Sequence, residues 1–306
     1  MSEPGVRERT WRPAWPCPAG QVLAASRRGT GDPTYRIGDD GAHWRGIRTP
    51  QGPVALRVAA RPAEASIHAT AWGPGAEWVL ERLPQMLGAD DDWSGFEADH
   101  PVLREARRRH PHWRIGRTSL VWEALVPSII EQKVTGQEAF LGFRRLVRAR
   151  GERAPGPHPD LWVQPAPATI AAIPSWEWLA WRIDPARSRT LVAAAQRAAA
   201  VERIGTCETD EADRRLRSLP GIGVWTSAEV RQRSHGDPDA VSFGDYHVAG
   251  QVGLALTGEP VDDAGLAELL QPWAGHRFRV QALVAMSGPH RERRGPRMAP
   301  RTHLRG

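Results

Sequence analysis

The sequence is short of the residues that cross-link, ligate and form Schiff bases. Among 306 residues there are two cysteines, Cys17 and Cys207, and one lysine, Lys133; arginine makes up the rest of the 41 basic residues. Two cysteines exclude a disulfide framework and any cluster that needs four thiolates. Tyrosine and phenylalanine are scarce, with two and five copies, yet there are 14 tryptophans. Long apolar runs are absent, so no segment reads as a bilayer span. The first residues, rich in Pro, Arg and Trp, lack the apolar centre of a signal peptide, which leads to the expectation of a cytoplasmic protein with no membrane partner. The acidic run Asp90–Asp92 has no His or Cys at ligand spacing and is expected to be a solvated turn rather than a metal site.

What is present is a basic chain whose charge is unevenly spread. The formal charge is +6 with a pI near 10.4, but residues 289–306 alone carry six arginines against one glutamate, leaving the remainder close to neutral. That tail has no apolar pattern and is expected to be disordered, adding salt-sensitive affinity for nucleic acid. Residues 1–30 read as a flexible Pro-rich lead. Thr34–Ile37, Trp44–Thr49, Val54–Ala60 and Ser66–Trp72 then read as short strands, with Asp39-Asp40-Gly41 and Gln51-Gly52-Pro53 as turns. A helix over Ala76–Leu87 completes a small α+β unit spanning residues 31–100. From Pro101 to residue 288 the period is helical, with start signals at Asp184-Pro185 and Asp262-Asp263 and one Pro/Gly-rich loop over Gly151–Pro167. The fold class expected is α+β, mainly α-helical, with an N-terminal antiparallel sheet.

Ser218–Val248 is the most informative stretch. Leu219 and Pro220 end one helix, Gly221 and Gly223 bracket Ile222 in a turn that needs positive φ or close approach by another molecule, and a second helix starts at Val224. The first amides of that helix have no internal partner and lie at the positive end of its dipole, so they can hold a phosphate without a basic residue. A tight helix-to-helix turn with Ile222 in the core would look the same. Asp245 follows in Phe243-Gly244-Asp245-Tyr246, before a helical pattern running through Leu256. It can cap that helix, face a sugar carbon and stabilise a developing oxocarbenium ion, or do both.

Together these residues resemble the helix-hairpin-helix DNA glycosylases, and among them the bacterial inducible 3-methyladenine glycosylases of alkylation repair. The resemblance rests on Leu219-Pro220-Gly221-Ile222-Gly223 followed by Val224, Trp225 and Thr226, and on Asp245-Tyr246 and Pro272-Trp273. Ser128–Gln132 and Arg187-Ser188-Arg189 with the residues after them add to it, and it covers roughly residues 75–286. It implies Asp245 as the catalytic carboxylate, Trp225, Tyr246 and Glu229 at base-pocket positions, and Leu219–Val224 with Thr226 as the DNA-binding hairpin. Gln132 and Lys133 fall in the DNA-intercalating loop. Trp176, Trp178 and Trp181 are further pocket candidates, with plain packing as the alternative. The partner implied is double-stranded DNA containing a damaged base, acted on by a monomer, with no iron–sulfur cluster and no side-chain metal site. A structural Na+ or K+ on the carbonyls of Leu219, Gly221 and Val224 is implied as well.

The strand-cutting members of that superfamily use an amine at the position held here by Trp225, so the resemblance implies a monofunctional hydrolase with no lyase step. An aromatic slot would favour a cationic alkylated purine. Two residues depart from the pattern. Lys133 stands where an apolar wedge is usual, and Glu229 where close relatives carry an aromatic ring. A glycosylase for deaminated or oxidised bases, or a noncatalytic protein that binds damaged DNA, therefore stays open.

Overall fold

The computed structural model describes residues 5–287; the basic segment 289–306 lies outside them. Strands β1 (Val6–Trp11), β2 (Tyr35–Ile37), β3 (His43–Thr49), β4 (Gly52–Arg61) and β5 (Ser66–Trp72) form one antiparallel sheet in the order β1-β5-β4-β3-β2. Thr49 pairs with Gly52, which makes β3 and β4 a tight hairpin. Alternation along the strands turns Ile47, Val54, Leu56, Val58, Ile67 and Ala69 inward. Helix α1 (Ala19–Leu23) and helices α2 (Ala76–Glu81) and α3 (Leu83–Met86) cover them. The expected single helix over Ala76–Leu87 is two, because Pro84 sits in the first turn of α3 and cannot continue a helical ladder.

Residues 1–30 are not simply a flexible lead. Val6–Trp11 pair with Ile67–Trp72, and Ala19, Val22 and Leu23 are buried under the sheet. Trp15 packs edge-on to Trp11 at 5.5 Å and beneath the Arg114 guanidinium at 3.8 Å, which pins the proline-rich connection. Proline content hid a segment that is held by its tryptophans.

The helical part comprises α4 (Pro101–Arg109), α5 (Val121–Ile130), α6 (Gly136–Arg150), α7 (Pro167–Ala171), α8 (Glu177–Ala180), α9 (Pro185–Ala195), α10 (Ala198–Arg203), α11 (Thr209–Arg217), α12 (Val224–Ser234), α13 (Val248–Thr257), α14 (Asp263–Leu269) and α15 (Arg277–Ser287). Asp184 and Asp262 cap α9 and α14 as their positions predict. The 151–167 loop holds a two-strand hairpin, β6 (Glu152–Arg153) with β7 (Trp162–Val163). Helix α5 is the axis of the site. Nine of its ten residues are buried, Pro127 lies inside it, and it packs along α12. The 90–92 turn differs from the expected solvated one: Asp91 is buried and binds Arg279 through two hydrogen bonds of 2.7 and 2.8 Å. A carboxylate this deep persists only when paired. It fastens the turn before α4 to α15.

Candidate nucleic-acid interface and active site

The hairpin between α11 and α12 is built from both sides. Ile222 is buried with Leu216 in the central core, an anchor of about 2 kcal/mol. Gly221 has φ +82, and a Cβ there would stand 2.2 Å from Thr190 Oγ1 on α9, so both conformation and space demand glycine. Gly223 serves differently. Its φ is −98, and a Cβ would meet nothing within 4 Å. This glycine leaves open surface in front of α12, and no side chain caps that helix. Gln132, just past α5, donates from Nε2 to Gly221 O and to Thr226 Oγ1, both at 2.9 Å. One amide thereby locks the α5–α6 turn to the hairpin.

An open groove of about 480 Å³ runs past Ser218, Ile222, Gly223 and Val224, and its other wall is Arg214 and Arg217. The expected anion site without basic residues is thus flanked by two. Their signal was an i, i+3 arginine pair in the last turn of α11, masked by Glu211 and Asp213, which bind them across exposed turns.

Asp245 lies in the turn before α13, joined to the hairpin helix through Trp225. Its Oδ1 accepts from the amides of His247 and Val248 at 2.8 and 3.2 Å, capping α13, while Oδ2 accepts from Trp225 Nε1 at 3.2 Å. Capping and orientation coexist in one carboxylate, whose second oxygen is aimed by the indole along the cleft. Trp225 is half-buried.

The other pocket candidates separate. Tyr246 is 92% exposed and touches His247 edge-on at 4.9 Å, so it lines no closed slot. Trp178 and Trp181 pack T-shaped at 5.6 Å inside the central core, and Trp176 is 75% exposed on the surface. None of the three belongs to the cleft. Trp273 is spent on fastening the C-terminal helices, its Nε1 donating to Glu97 O. Lys133 is exposed at the tip of the α5–α6 turn with φ +53, a strained backbone for a side chain that does no packing.

Glu229 is buried. Its Oε2 pairs with Arg233 at 2.8 Å and its Oε1 accepts from Ser242 Oγ at 2.7 Å, which in turn receives Gln232 and Gln281 amides. Burial pushes this carboxyl up, but Arg233 and Ser242 outweigh it and the net shift is down. The position closes the pocket with an ion pair instead of a ring. Beside it, from the segment ahead of β2, Arg28 approaches Glu131 at 2.9 Å. Reading residues 1–30 as a lead left Arg28 unseen.

Among the described residues no group of side chains could hold a metal ion. Of the three carbonyls expected to bind a monovalent cation, that of Leu219 accepts the Ile222 amide and that of Gly221 accepts Gln132.

No family model matches the chain. Three-dimensional comparison gives the class: the fold is that of the helix-hairpin-helix DNA glycosylases. A 3-methyladenine DNA glycosylase from Archaeoglobus fulgidus superposes with a TM-score of 0.70 and 20% identity over 82% of this chain and 88% of that one. An 8-oxoguanine glycosylase/lyase from Clostridium acetobutylicum gives the same TM-score at 11% identity, over 94% and 100%. In sequence, the chain is similar to the probable bifunctional transcriptional activator/DNA repair enzyme AlkA of Mycobacterium tuberculosis, 33% identical over 175 residues, or 54% of this chain. That segment is 31% of the relative, so the match spans about a third of its length.

Proposed function

We propose that this protein is a monofunctional DNA glycosylase of base-excision repair, which flips an alkylated purine such as 3-methyladenine from duplex DNA and hydrolyses its N-glycosidic bond. One observation carries the reading: Asp245 Oδ2 is held by Trp225 Nε1, the second residue of the helix whose first turn forms the hairpin cradle. A phosphate held at Gly223 and Val224 would fix the backbone of the target strand while the carboxylate meets the sugar. The fold of the Archaeoglobus enzyme and the similarity to AlkA support the alkylation branch.

The mechanism follows from these positions. The neighbouring base pairs stay stacked while the target nucleotide turns into the cleft, at a cost of a few kcal/mol in lost stacking. Asp245, oriented by Trp225 and by the α13 amides, stabilises positive charge on the sugar as the bond to the base lengthens. Water adds at C1′ and an abasic site remains. No amine takes part, since Trp225 stands at that place and the chain's one lysine lies on the α5–α6 turn. The same protein is proposed to be a cytoplasmic monomer with damaged duplex DNA as its partner.

Base release from methylated duplex DNA by wild type and Asp245→Asn tests this, with alkali revealing abasic sites. We expect release of 3-methyladenine or 7-methylguanine by wild type and a loss of about 10³-fold or more in the variant. DNA binding without release by either would point to a noncatalytic binder. The fold shared with an 8-oxoguanine enzyme and the charged Glu229 favour an oxidised base as the second reading, which a lesion panel decides.

A further inference from the structure

The carboxylate that the scheme above does not use is Glu131. Helix α5 ends one residue before it, at Ile130, whose carbonyl accepts from the buried Arg187 at 2.7 Å. One residue after it, Gln132 is tied to the hairpin. Held on both flanks, the Glu131 side chain turns inward and is 17% exposed. Arg28 from the segment ahead of β2 stands against it; burial pushes the carboxyl up, Arg28 and Arg233 oppose that, and the charges of Glu229 and Asp245 add to it.

The arrangement is incomplete in one respect. Arg28 Nε lies 2.9 Å from Glu131 Oε1 but off the N–H direction, so the contact is an ion pair without a hydrogen bond, and that buried N–H has no acceptor. Among the described residues the Glu131 carboxylate accepts no hydrogen bond either, whereas both oxygens of Glu229 are taken. Native interiors rarely leave a buried N–H such as that of Arg28 unpaired, and it calls for a partner such as a water, an ion or a ligand. Burial disfavours the charge on Glu131, and Arg28 offsets that only in part. A neutral base leaves that charge uncompensated; a purine alkylated at N3 or N7 cancels it. Tyr246 is exposed, and Trp225 is the ring hydrogen-bonded to the acid.

We propose that Glu131 is the specificity-determining residue of the base pocket, recognising the positive charge of an N-alkylated purine through its carboxylate. The proposal rests on the glycosylase reading above. It makes selection a matter of charge pairing in a dry cleft rather than of stacking between aromatic faces.

The test compares wild type, Glu131→Gln and Glu131→Asp on two duplexes. One carries 3-methyladenine, scored by single-turnover release; the other carries its neutral, uncleavable isostere 3-deaza-3-methyladenine, scored by binding. Expected is a loss of about tenfold or more in release by Glu131→Gln, a change below about twofold in affinity for the isostere, and recovery in Glu131→Asp. A structural lesion would weaken both and overturn the proposal, as would unchanged release. Inhibition of wild type by free bases needs no variant: the cation 3,9-dimethyladeninium should inhibit at about tenfold lower concentration than 3-deaza-3-methyladenine, and equal inhibition overturns the proposal. If wild type releases no methylated base, the glycosylase reading itself has failed; if it does and the charge makes no difference, only the role of Glu131 has.

Discussion

The two sides of the cleft are made in opposite ways. The hairpin side is backbone: six consecutive residues, one glycine forced by positive φ and one left bare, with a buried isoleucine as anchor. The acid side is side chains brought from four places, Arg28 ahead of β2, Glu131 after α5, Glu229 and Arg233 on α12, and Asp245 before α13. A backbone site binds a repeating phosphate and tolerates any sequence. A charged floor titrates and discriminates. Under the proposed function the molecule would separate where DNA is held from how a base is chosen, and Gln132 and Trp225 link the two sides.

The sharpest way to break this contrast is at the two glycines. Gly221→Ala forces a side chain into positive φ and against Thr190 Oγ1, itself fixed by Ala186 O at 3.0 Å. We expect a loss of about 2–4 kcal/mol in urea unfolding and, with it, of DNA binding. Gly223→Ala should change stability by less than about 0.5 kcal/mol, since its Cβ meets only open space. It should still weaken binding to duplex DNA, because the methyl occupies the phosphate's approach. Equal stability losses in the two variants would show that the hairpin is merely a turn.

The floor side should differ from the hairpin in its response to pH, and Glu202 reports on α5, the helix that leads to Glu131. Glu202 on α10 accepts the amide of Trp122 at the start of α5 at 3.1 Å, and burial pushes its carboxyl up to about 7. The folded protein therefore holds this proton more tightly than the unfolded chain. Its stability is complete below the ordinary carboxylate range and falls as pH rises through about 7. Glu202→Gln keeps an acceptor for Trp122 and removes the charge. Urea midpoints measured from about pH 5 to 8 should decline in wild type more than in the variant, with a gap on the order of 1–3 kcal/mol at the alkaline end. Parallel curves would mean that the carboxylate is relaxed by solvent.

The contrast also explains what could be read in the chain. The hairpin and Asp245 were legible because their chemistry is local: glycine spacing, a helix start and a cap occupy adjacent positions. Four strands were recovered to within a few residues, since alternation is local too. Val6–Trp11 was missed because it is an edge strand whose only register is to β5, more than fifty residues on. Arg28 was lost with it. The Trp176–Trp181 group stayed open between pocket and packing for a related reason: aromatic content says that rings will be buried somewhere, while only packing says where. Asp91 looked solvated because its partner, Arg279, lies 188 positions away. Charge pairs across such separations leave no periodic trace.

The smallest expected effect concerns the basic wall of the hairpin groove, and it sharpens the claim that this side reads phosphate alone. Arg214 and Arg217 pair with Glu211 and Asp213 across exposed helix turns, contacts that add little to folding. Arg217→Ala and Arg214→Ala should therefore unfold close to wild type. If the groove holds DNA phosphate, each variant lowers the slope of log affinity against log salt by about 1, through the counterion no longer released. The loss should be the same for damaged and undamaged duplex, because phosphate carries no lesion information. A loss confined to damaged DNA would place these arginines at the flipped nucleotide and dissolve the division between a side that holds and a side that selects.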